Sequence, residues 1–176
     1  MMRVEGDDLD ALRVFLPVRD DLPVFYERLP FYERGTLLNF GKVFVIAAGP
    51  GPFGTGGYKY LLNGAAQAIL QANKTAGLVL TEETAPAYLK FFCRFVFWEE
   101  VRFEVVESVD GYAVAEGALP DDLRIAGGLD DSGEFLYRAM MLVDDWAYQV
   151  RLATSRPLGA VRMVDNVQLA RLVRLQ

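Results

Sequence analysis

Residues 134–154 read EFLYRAMMLVDDWAYQVRLAT. Two runs rich in apolar and aromatic residues flank Asp144-Asp145, which reads as a turn between strands. A third run, GAVRMV from Gly159, follows a break at Arg156-Pro157. Upstream, Val101, Phe103 and Val105 alternate with opposite-face residues. Asp110-Gly111 then marks a turn, and Tyr112, Val114 and Ala115 continue an expected hairpin. Connections this short favour antiparallel neighbours. The chain therefore reads as α+β: a single domain over residues 1–176, with helices mainly in the first half packed on an antiparallel sheet of about five strands formed mainly by the second half.

The helices are read from apolar spacing. Leu9, Leu12 and Leu16 give a short helix opened by Asp7 or Asp8 and stopped at Pro17. A second short helix is expected from Asp21, with Pro23 in its first turn, closing before Pro30. A third runs from about Tyr60 to Asn73 and ends at Gly77. A fourth starts after Thr84, because that cap puts Pro86 in the first turn, where its missing N–H does little harm. It extends to about residue 97 and is apolar on nearly all sides, as a core or partner-facing helix is.

VFVIAAGPGPFGTGG, residues 43–57, is the one stretch that invites a cofactor reading. Gly49, Gly51 and Gly54 spell G-x-G-x-x-G after a strand-like run. Yet Pro50 and Pro52 remove two amides, GTGG delays any helix, and residues 65–80 lack the acid expected downstream. No lysine follows Gly54 as a phosphate loop needs. The stretch reads as a Gly/Pro-rich loop over 49–57, and no cofactor is expected.

Other chemistry is restricted by composition. The chain has no histidine and one cysteine, Cys93, which excludes histidine-based triads, histidine metal ligands and a multi-cysteine zinc site. Cys93 lies among phenylalanines and reads as a buried small hydrophobe. The acid pairs Glu99-Glu100, Asp130-Asp131 and Asp144-Asp145 are sequence neighbours, which point to opposite faces in strands. No catalytic or metal residue is assigned, and catalysis is not the favoured reading.

Hydrophobic residues make up 52% of the chain and charged residues 24%, a globular balance. Apolar runs fall well short of the roughly 20 residues a membrane-crossing helix needs. The N-terminus places four acids in its first ten residues, unlike a secretory signal, and one cysteine cannot form an internal disulfide. The cytoplasm is the expected compartment. The net charge of −6 is uneven, with no acid and three lysines over residues 41–80. The five arginines after residue 150 are spaced too widely for one basic stripe, so nucleic-acid binding is not expected.

FYERLPFYERG repeats Phe-Tyr-Glu-Arg at 25–28 and 31–34, a spacing of six that fits no single helical face and reads as coincidence or as aromatic anchors either side of a turn. LLNGAAQAILQANKTAGLVLTEETAPAYLKFFCRFVFWEE and the following FEVVES, within residues 60–107, resemble a block in small uncharacterised bacterial proteins. Asn73, Leu80, Thr81, Glu83, Tyr88, Phe91, Phe92, Phe95 and Val96 have counterparts there; a histidine of that block falls at Leu70. The resemblance implies a shared α+β core and carries no function.

Two functional readings result. The first is a non-catalytic cytoplasmic binding or adaptor protein, acting through protein contacts or self-association as a homo-oligomer. Its expected contact surface is Tyr26, Tyr32, Tyr88 and Trp98. The alternative is a small anionic-ligand-binding protein, or atypical enzyme, with a pocket near the 49–59 loop formed by Gly54, Thr55, Lys59 and Lys74.

Overall fold

The computed structural model describes the chain except for Pro17, Val18, Asp20, Thr55, Glu99, Gln176 and the side chain of Pro52. The fold class is α+β, with every helix before residue 96 and an antiparallel sheet dominated by second-half strands. Contacts gather in two compact units, Met1–Val79 and Leu80–Gln176.

The first unit carries a sheet of its own. Strands β1 (Met2–Arg3), β2 (Val24–Arg28), β3 (Gly35–Phe40), β4 (Val43–Ala48) and β5 (Tyr58–Leu61) lie side by side in sequence order, all antiparallel. Helix α1 (Asp7–Phe15) delivers Leu12 and the flanking Leu16 to a core with Val4, Val24, Leu38, Val45 and Ala47. Its N-cap is Gly6 at φ 63°, not Asp7 or Asp8; those acids sit in the first turn, where they favour the helix dipole. The expected stop at Pro17 lies outside the described residues.

Two helix expectations fail here. The stretch from Asp21 to Pro30 holds β2, because two prolines leave too few residues between them for a stable helix. Val24, Phe25 and Tyr26 instead suit a pleated surface, and Val24 is fully buried. The run from Tyr60 divides. Tyr58–Leu61 pairs with β4, and helix α2 (Ala66–Thr75) begins only after Asn63-Gly64. Gly64 takes φ 95°, which interrupts a helix. At the other end Gly77 adopts φ 71° and the Leu78 amide donates to Asn73 O at 3.1 Å, a Schellman-type ending.

The second unit opens with α3 (Ala85–Phe95). Thr84 precedes it as expected, but its hydroxyl accepts from the Thr81 amide at 2.9 Å and does not cap the helix. Strands β6 (Glu104–Val106), β7 (Tyr112–Gly117), β8 (Ala126–Leu129), β9 (Glu134–Val143), β10 (Trp146–Ser155) and β11 (Val161–Arg174) follow. Their order is β6-β9-β10-β11-β7, with β8 also on β9, so the sheet has six strands. The expected hairpin across Asp110-Gly111 does not form: β6 pairs with β9, and β7 with β11. The turn itself is present, with Gly111 at φ 83°, but the flanking strands find longer partners around a core of Met140, Leu142, Ala147, Ala170 and Leu172.

Candidate functional site

The two FYER segments converge on one place. The first is β2, and Arg28 at its end pairs in register with Thr36 of β3. The second lies in the β2–β3 connection, which is pinned from two sides. Glu33 and Arg34 donate their amides to Gly77 O and Ala76 O, at 3.0 and 2.9 Å, while Arg34 O accepts from Gly49 N at 3.1 Å. Phe31 and Tyr32 turn inward, and the Tyr32 hydroxyl donates to Asn73 Oδ1 at 2.6 Å in a buried hydrogen bond. With the aromatics inside, Glu33 and Arg34 face outward and are exposed.

The opposite wall is the glycine loop. It leads back into β5, antiparallel to β4, and not into a helix, so the strand-to-helix geometry of a dinucleotide fingerprint is absent. Three of its amides are already engaged: Gly49 N by Arg34 O, Gly54 N by Gly51 O and Gly56 N by Pro50 O. The loop closes by backbone contact. A Cβ on Gly57 would collide with the Ala48 carbonyl, and one on Gly54, at φ 74°, would lie 2.7 Å from Ala47 O. These glycines serve close packing, and the three engaged amides are not free to join a phosphate nest.

Between these walls is a cleft of about 450 Å³. Tyr26, Arg28 and Thr36 form its floor, Glu33, Arg34 and Gly35 one side, and Gly49–Gly51, Phe53 and Gly54 the other. Phe53 presents its ring edge-on to Tyr26, with centroids 4.7 Å apart. Neither arginine forms an ion pair among the described residues. The cleft thus offers two forked guanidinium groups, one threonine hydroxyl and one carboxylate beside an aromatic wall.

Of the expected ligand residues that are described, Gly54 lines this cleft and Lys59 and Lys74 do not. Thr55 lies outside the described residues. Lys59 is on β5 and spends its charge on α1: Nζ donates to Phe15 O at 2.7 Å and lies 5.2 Å from that ring's centroid. This is a cation at a helix C-terminus, a favourable position that the sequence separation hid. Lys74 is exposed in the last turn of α2 and does not line the cleft.

The expected partner surface is also redistributed. Tyr88 is fully buried and donates to Gly159 O at 2.7 Å, and Tyr32 is buried against Asn73. Both rings serve the interior because each hydroxyl finds an internal acceptor. Tyr26 is half-buried in the cleft floor. Trp98 is half-buried, its ring 5.2 Å from Phe103, with its amide and carbonyl bridging to Val101.

The remaining chemistry is sparse. Burial pushes the Cys93 thiol up to about 12, which leaves little thiolate for nucleophilic work. Among the described residues no group of three acids or cysteines is placed to hold a metal ion, and no helix is long and apolar enough to cross a membrane. Comparison with family models, curated proteins and solved structures gives no match to this chain. The cleft is therefore the candidate site. Arg28 and Arg34 are the residues the sequence reading missed, and the FYER repeat was their signal.

Proposed function

We propose that the chain is a non-catalytic, cytoplasmic binding protein for a small anionic ligand, held in the cleft between the FYER segments and the glycine loop. One observation carries this reading: the repeat brings into one concavity two arginines that form no ion pair among the described residues. Guanidinium groups bind phosphate or carboxylate through paired, charge-assisted hydrogen bonds, stronger than neutral ones. Thr36 supplies a further donor, and the Tyr26–Phe53 wall suits an apolar or planar body attached to the anion. The volume lies within the roughly 300–1,000 Å³ typical of small-molecule pockets. Glu33 at the rim disfavours a second negative charge on that side. A single buried cysteine supports the compartment.

A thermal-shift panel of inorganic phosphate, nucleotides, sugar phosphates and tricarboxylates tests this reading. At least one compound should raise the melting temperature of the wild-type chain and fail to do so in Arg28→Gln with Arg34→Gln. A panel without effect, or an equal rise in the double variant, contradicts it.

A protein-partner reading retains one specific support. β5 is a terminal strand of its sheet, with Tyr58 66% and Leu61 55% exposed, and an unpaired apolar edge can accept a strand from another chain. A monomeric mass at high protein concentration removes self-association by this edge.

A further inference from the structure

Arg138 of β9 stands directly opposite Arg151 of β10, and Arg151 directly opposite Asp165 of β11. Like charges placed opposite one another across a sheet are destabilising. Here one carboxylate answers two guanidinium groups. Asp165 accepts from Arg151 at 3.1 Å, while Arg138 has no ion-pair partner among the described residues. Arg138 also acts electrostatically on Asp122, but that carboxylate is already gripped at both oxygens by Arg124.

Strand alternation places Leu136, Arg138, Gln149, Arg151, Asp165 and Val167 on one face. They line a groove of about 430 Å³. The same face is covered towards its other end, where Leu119 and Leu123 pack against Met140, Leu142 and Ala147. Opposite Arg138 and Leu136 the neighbouring strand β8 carries Ala126 and Gly128, so β8 itself adds little side-chain bulk on this face. Gly127 is fixed by close approach, since a Cβ there would collide with Leu136 O. Register shifts between Ala147 and Tyr148 and between Arg151 and Leu152 bracket this part of β10 and β11. Bulges of this kind re-aim side chains and recur beside binding sites.

We infer that this groove is a second anion site, in which Arg138 and Arg151 together take the carboxylate or phosphate group of a small molecule whose apolar stem lies on Leu136 and Val167. The anion completes the charge row that Asp165 leaves one negative charge short. Arg151 can share its guanidinium because its pair with Asp165 is half exposed and such pairs contribute little. Gln149 adds a donor on the same face. The site is separate from the cleft of the first unit and does not depend on it.

The test uses the full chain at constant low ionic strength, titrated separately with succinate, inorganic phosphate and, as a screening control, chloride. Arginine Nε–Hε and Gln149 amide resonances report binding. Saturable shifts with succinate, phosphate or both, lost in Arg138→Gln and retained in Arg28→Gln, support the site and name its headgroup. Saturation with neither, shifts equal to those from chloride, or unchanged shifts in Arg138→Gln overturn it. Arg138→Lys keeps the charge but loses the fork, and should weaken binding by about tenfold, the lower bound for one charged hydrogen bond. Without added anion, Arg138→Gln should melt at or above the wild type, because it relieves the opposed charges. A marked fall in its melting temperature would make Arg138 a structural residue and sink the proposal.

Discussion

Phe53 holds a left-handed backbone, φ 56° and ψ 17°, while its ring meets Tyr26 edge-on at 4.7 Å. For a bulky side chain this conformation is an outlier, costing about 1–3 kcal/mol, and such strain collects at binding sites. The ring contact offsets part of that cost, by about 0.5–1.5 kcal/mol. Phe53→Ala loses the ring and keeps the strain, whereas Phe53→Gly loses both. Chemical denaturation should therefore rank the glycine variant above the alanine variant in stability. The reverse order would show that the backbone at this position is not strained.

The Tyr32–Asn73 hydrogen bond ties the β2–β3 connection to α2 behind the cleft. Tyr32→Phe removes the hydroxyl from a buried bond and should cost about 1–3 kcal/mol in denaturant unfolding. Because the same connection carries Arg34, the variant should also weaken ligand binding without touching ligand. An unchanged affinity beside reduced stability would show that Arg34 is positioned by the Gly77 and Ala76 contacts alone.

Cys93 gives a pH prediction. Desolvation raises its thiol from the ordinary value of 9.0 to about 12, so the folded chain holds this proton more tightly than the unfolded one. The associated stability is fully present below pH 9 and is lost as pH rises through about 12. Denaturation midpoints of Cys93→Ala should fall less steeply over that alkaline window than those of the wild type. At neutral pH a disulfide-exchange reagent should modify Cys93 only as fast as the chain opens. Fast stoichiometric labelling of the folded protein would contradict its burial.

What the sequence disclosed depended on strand length and on where partners lie. β9 and β10 were legible because each is a long apolar run and only Asp144-Asp145 separates them. In the first-unit sheet the strand-like run at 43–48 was legible as β4, but its neighbours β2 and β5 were not. β2 is five residues between prolines, and the apolar run that includes β5 reads equally as helix when its pairing with β4 is hidden. Asp110-Gly111 announced a turn correctly, but a turn fixes direction and leaves the choice of pairing strand to distant residues such as Met140 and Leu172. The site followed the same rule. The glycine loop was visible, whereas Lys59 was claimed by Phe15, 44 residues away, and Arg28 and Arg34 come to line one cleft because the chain folds back through Leu29-Pro30.

The central claim, that Arg28 and Arg34 hold an anion in one cleft, is tested most directly by calorimetric titration. The titrant is the compound giving the largest thermal shift, measured against the wild type, Arg28→Gln, Arg34→Gln and the double variant at fixed salt. The account predicts a saturable binding phase from the first unit's cleft, weakened about tenfold or more by each single change, as loss of a charge-assisted hydrogen bond requires. It also predicts affinity that falls with added salt and is unaffected by Arg138→Gln. Equal affinity in the wild type and the double variant would contradict it.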